Sequence, residues 1–91
     1  MKKALSIIHQ YQIQHAGMSS YLDNQLGTIQ QSLQDAGWRE KEGEQYWRDA
    51  SLEIAERLTV SLLQMITLDG VARETLVELY KTITDISSQE G

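Results

Sequence analysis

The 91-residue sequence predicts an all-α fold. Three observations carry that reading. There is no proline anywhere, so nothing forbids long helices except glycine and turn chemistry. Apolar side chains recur at spacings of three and four, which is the period of one helix face. Apart from the isolated Gly17 and Gly27 and the terminal Gly91, the breakers sit in two places, "AGWREKEG" near the middle and "LDG" at Leu68–Gly70, so the chain divides into a few long periodic runs.

Ala4, Ile8, Tyr11, His15, Met18, Leu22, Leu26, Ile29 and Leu33 form one stripe and predict a helix over 3–35. At 1.5 Å per residue such a helix is about 50 Å long. Gly17 and Gly27 fall inside it, each costing about 1 kcal/mol relative to alanine. They imply either close approach of a neighbouring helix or local weakness. Residues 36–43 are expected to be a turn, with Gly37 ending the first helix and Gly43 preceding the next. Trp47, Ala50, Ile54, Leu58, Leu62 and Met65 restart the period and predict a helix over 44–68. Asp69 as a cap, or Gly70 as a kink, breaks or bends it at 69–70. Ala72, Leu76, Leu79, Ile83 and Ile86 then continue a helix over 71–87.

Residues 1–91 read as a single helical domain built on a long antiparallel hairpin. From Leu58 to Leu68 apolar residues point to most sides of the helix, more than one hairpin partner covers. The expectation is a homodimer or heterodimer with another helical protein, two hairpins pairing into a four-helix bundle. Its interface would use Leu58, Leu62, Leu63, Met65 and Ile66.

Charge and composition exclude several functions. Thirteen acidic against eight basic residues give a net charge of −5, with no basic run beyond Lys2 and Lys3, which is unlike a nucleic-acid binder. Without cysteine there is neither a disulfide framework nor a thiolate metal site. The apolar run after the first lysines ends at Ile8, too short for a secretory signal, and no segment is long enough to span a bilayer. A cytoplasmic protein, or one secreted without a cleaved signal peptide, is expected.

No catalytic, cofactor-binding or metal-binding set is expected. His9 and His15 are six residues apart and face different sides of a helix. Neither has a carboxylate at the Glu-x-x-His spacing. Glu53 and Arg57 read as a surface ion pair. Phosphate loops, triads and nucleophilic cysteines are absent from the sequence, and the protein reads as non-enzymatic.

The feature that stands out is "AGWREKEGEQYW", Ala36–Trp47, which holds both tryptophans. Trp38, Tyr46 and Trp47 are expected to close the open end of the hairpin, or to form a docking surface there. "LQDAGWREKEGEQYW", with Trp38 near the middle of the chain, resembles the Trp-x-Gly turn of the WXG family of small helical-hairpin proteins handled by type VII (Esx) secretion. That resemblance implies a two-helix hairpin acting as a partner or substrate of such a pathway. Glu40 stands where the family has Gly, and Tyr80 and Asp85 are one residue too far apart for the family's Tyr-x-x-x-Asp/Glu export signal, which favours a partner or chaperone over an autonomous substrate. The alternative is a small acidic inhibitor or adaptor, a phage or plasmid anti-defence protein or a subunit of a larger complex, engaging a basic partner.

Overall fold

A computed structural model of the chain describes residues 1–14, 20–65 and 70–88, omitting the side chains of Met65, Val71 and Ala72. Four helices follow in order: α1 Lys2–Gln14, α2 Ser20–Lys41, α3 Gln45–Met65 and α4 Val71–Ser88. No strand occurs among the described residues.

The helix expected over 3–35 is two helices. If it were continuous, Met1 and Gly37 would stand about 50 Å apart. Instead a Cβ built on Gly37 would lie 3.5 Å from the Met1 side chain, and the whole molecule is only 38 Å long. α1 therefore runs back along the C-terminal half of α2. His15, Gly17 and Met18 lie outside the described residues. At Gly27 a Cβ would meet nothing within 4 Å, so no close helix approach explains that glycine.

α2 also runs past the expected end at Asp35, through Gly37 to Lys41. Its true terminator is Gly43, in the left-handed region at φ +78°. The Gly43 N–H donates to the Glu40 carbonyl (3.1 Å) and the Glu44 N–H to the Arg39 carbonyl (2.8 Å). These two bonds satisfy the last carbonyls of α2 and reverse the chain within three residues, because glycine carries no Cβ to strain that conformation. The turn is thus tighter than the expected 36–43, and Trp38 lies within α2.

At the other break Gly70 also has positive φ (+70°), and α4 folds back along α3. The bond from Arg48 of α3 to the Ile86 carbonyl of α4 fixes that pairing as antiparallel. Ile66–Asp69, including the proposed cap Asp69, lie outside the described residues.

Each helix packs on the next, and α4 packs on α1, giving a closed ring of four antiparallel neighbours in an up-down-up-down bundle. The start of α1, the end of α4 and the α2–α3 turn share one end. The core takes Ala4, Ile8 and Tyr11 from α1, Leu22, Leu26, Ile29, Leu33 and Ala36 from α2, Leu52, Ala55 and Leu62 from α3, and Leu76, Leu79 and Ile83 from α4. Two buried hydroxyls in it, Thr59 and Thr82, donate to the carbonyls of Ala55 and Glu78, so neither is left unpaired.

One chain supplies all four helices that the sequence reading drew from two. Leu62 is buried in this intramolecular core, and Leu58 and Leu63 pack half-buried against it. The side chains of Met65 and Ile66 lie outside the described residues. From Leu58 to Leu63 the largest apolar side chains, Leu58, Leu62 and Leu63, meet the chain's own core, so this part of the segment does not require a second chain.

Candidate docking surface at the turn end

The three-residue reversal at Glu42–Glu44 sets the last turn of α2 beside the first turn of α3, and with it Trp38 and Arg39 beside Tyr46 and Trp47. The aromatic side chains do not close over the gap. Trp38 is 54% exposed, Trp47 55% and Tyr46 74%. Tyr46 and Trp47 meet edge to face with ring centroids 5.1 Å apart. Between the two tryptophans stands Arg39, its guanidinium carbon 5.6 Å from the Trp38 ring and 5.7 Å from the Trp47 ring. Both distances fall within the range of cation–π attraction. Arg39 is itself held by Glu44, Nη1 to Oε2 2.9 Å, and half-burial shields that pair better than a fully exposed one. One cation thus ties together two indoles that belong to different helices.

The phase of α3 explains why these rings are exposed. The bundle buries Arg48, Leu52, Ala55, Thr59 and Leu62, spaced four, three, four and three. Of the stripe expected to face the core, Trp47, Ala50, Ile54, Leu58, Leu62 and Met65, Leu62 is buried and Leu58 packs half-buried against the core. Trp47 and Ile54 at its N-terminal part are left largely exposed, Ile54 at 52%, and the side chain of Met65 lies outside the described residues. The N-terminal half of α3 therefore carries large apolar side chains, Trp47 and Ile54, that its own bundle does not bury. Glu53 and Arg57 pair on the outer surface of α3, as their spacing implies.

Beneath the aromatic end, Arg48 is 4% exposed, an unusual place for a charge. Its Nη1 donates to Asp49 Oδ1 at 2.9 Å and its Nη2 to the Ile86 carbonyl at 3.2 Å, while Nε finds no acceptor. A cation at the last carbonyls of α4 also complements the negative end of that helix dipole. Arg48 thus clamps the start of α3 to the end of α4 and braces the platform that carries Tyr46 and Trp47. Neither Arg39 nor Arg48 was singled out from sequence. The four-three spacing from Arg48 to Leu52 and Ala55 was the available signal.

Elsewhere, burial pushes the Tyr11 phenol above the usual tyrosine pKa, and the negative charge of Asp23 adds to the rise. His9 is exposed on α1. Among the described residues no group of three or more His, Asp or Glu side chains is placed to hold a metal ion, and no helix is long and apolar enough to cross a membrane. A shallow depression lined by Arg73, Glu74, Val77, Glu78 and Lys81 runs along α4 alone and mixes both signs of charge.

Comparison with protein-family models, curated proteins and solved structures gives no match for this chain. The resemblance to the WXG hairpins rests on the sequence around Trp38. That residue lies within a helix of a four-helix chain, whereas the resemblance implied the turn of a two-helix one.

Proposed function

We propose that the protein is a non-enzymatic helical interaction module that docks a protein partner on the aromatic face formed by Trp38, Tyr46, Trp47 and Ile54. One observation carries the reading: α3 holds Trp47 and Ile54 outside the chain's own core, and Arg39 links Trp47 to the exposed Trp38 of α2. Counting about 200 Å² for a whole aromatic side chain, the exposed parts of the three rings come to roughly 350 Å². That lies within the range of the largest apolar patches on soluble proteins, about 300–600 Å², which are frequently functional. Tryptophan and tyrosine are also the residues that dominate binding energy at interfaces.

Of the two forms this reading takes, an acidic adaptor or inhibitor is better supported than a partner or substrate of type VII secretion. The four-helix layout differs from the two-helix hairpin of the WXG proteins, and two exposed carboxylates, Glu40 and Glu42, stand at the turn beside the aromatic residues. A photo-crosslinking residue placed at Tyr46, and separately at His9 on the exposed face of α1, tests the docking site in cells. A discrete crosslinked partner from position 46 and none from position 9 supports it. Crosslinks of equal yield from both positions, or from neither, refute it.

A further inference from the structure

We infer that the segment received by this aromatic face is cationic, a lysine- or arginine-bearing stretch of a partner protein whose charged groups lie over the exposed indole and phenol rings. The inference rests on the docking reading and adds the chemistry of the partner. Three observations on the molecule point the same way.

The rings already hold a guanidinium. Arg39 lies within cation–π distance of both Trp38 and Trp47, which shows that the geometry at this end suits a planar cation. Every indole has two faces, and Arg39 takes one at each tryptophan. With Glu44 gripping it, Arg39 acts as a positioning residue that holds the two rings in place before any partner arrives.

The surrounding charge has the complementary sign. From Asp35 to Glu53 the chain carries six carboxylates, Asp35, Glu40, Glu42, Glu44, Asp49 and Glu53, against three cations, Arg39, Lys41 and Arg48. Of these, Glu53 pairs with Arg57, and Lys2 and Lys3 at the start of α1 stand at the same end, so the negative charge that faces a partner is local to Glu40 and Glu42 at the turn. Two of the three cations are already engaged, Arg39 with Glu44 and the buried Arg48 with Asp49. Glu40 and Glu42 are exposed at the turn, where they raise the local concentration of a basic partner and steer its approach.

Charge disfavours a second copy of the chain. Two copies meeting here would bring the exposed Glu40 and Glu42 of each together. A basic segment adds its own apolar and charged area to the rim and removes that repulsion.

The test uses the whole protein and three synthetic helical peptides that share one apolar leucine face. Their polar positions carry lysine and arginine, glutamine, or glutamate. Fluorescence anisotropy measures each affinity at low salt and again at about 0.5 M salt, where screening acts within a few ångströms. The expected result is that the basic peptide binds at least about tenfold tighter than the neutral one. That advantage should collapse at high salt, and should fall by a similar factor in the Glu40→Lys, Glu42→Lys double variant. Trp47→Leu, which keeps apolar bulk but removes the ring, should also lose it. Tyr46→Ser, at the most exposed ring, provides the same check where Trp47→Leu shifts the melt. Equal affinity for basic and neutral peptides overturns the cationic partner and leaves the docking surface standing. Binding of no peptide, preference for the acidic peptide, or tighter binding to phosphatidylcholine vesicles than to the basic peptide overturns it too. The crosslinking comparison between positions 46 and 9 then judges the docking reading independently.

Discussion

Replacing Leu52 or Ile54 by alanine tests the phase of α3, on which the exposed aromatic face depends. The two residues lie two positions apart on one helix and lose the same three carbons, yet Leu52 is fully buried and Ile54 is 52% exposed. At about 0.8 kcal/mol per buried carbon, the Leu52 truncation loses about 2.4 kcal/mol of transfer free energy. The cavity left in the core raises the cost to about 3–4 kcal/mol. Ile54→Ala loses about half of the transfer contribution and leaves no cavity, while alanine's better helix propensity returns a few tenths, so the net cost stays below about 1 kcal/mol. In a domain of this size 1 kcal/mol shifts the melting midpoint by about 4–8 °C. Circular dichroism melts should therefore place Leu52→Ala at least about 12 °C below the parent and Ile54→Ala within about 6 °C of it. Equal losses, or the larger loss at Ile54, would put the Trp47–Ile54 stripe in the core and refute the phase on which the docking face rests.

Gly27 within α2 and Gly43 just past its end should respond oppositely to alanine. Gly27→Ala is free of contacts and should raise stability by up to about 1 kcal/mol, whereas Gly43→Ala strains a left-handed residue and should lower it by about 1 kcal/mol or more; denaturant titration reads both. Arg48→Ala should cost about 2–3 kcal/mol, because it opens a space at the end of the bundle and strands the Ile86 carbonyl, while Arg48→Met should recover most of that loss in the same titration. Tyr11 favours the neutral phenol when folded, so its contribution is complete below the unfolded pKa, near 10, and is lost as pH rises through the higher folded value. Melts should fall more steeply above about pH 10 in the parent than in Tyr11→Phe, and identical pH profiles would contradict this.

Helix content and most of the core were legible because α1, α2 and α4 mark their buried faces with leucine and isoleucine at helical spacing. Ile8 and Tyr11, Leu22 to Leu33, and Leu76 to Ile83 all lie where the stripe put them. The division of the first helix was not legible. His15, Met18 and Leu22 extend the stripe of α1 in phase into α2, no proline interrupts it, and a single glycine is a weak breaker. The phase of α3 misled for a different reason. Its buried positions include Arg48, Ala55 and Thr59, which carry little apolar signal, while Trp47 and Ile54 beside them carry much. The same loud residues made the aromatic end easy to find from composition. Their exposure depended on the helix phase and on Gly43, and the bridging role of Arg39 depended on two helices meeting, which no local pattern encodes.

The solvent access of Trp38 and Trp47 in the free protein tests the central claim most directly, because both the docking face and the cationic partner require these rings to be open. The measurement is tryptophan emission with acrylamide quenching, on protein whose mass is followed by light scattering across a wide concentration range. A monomer is expected at every concentration, with emission shifted toward that of solvated indole and efficient quenching. Blue-shifted emission that resists quenching in the monomer would show the aromatics folded over the turn. The same protection appearing only as the mass doubles would show a second copy covering them, and either result would contradict a face left open for a partner.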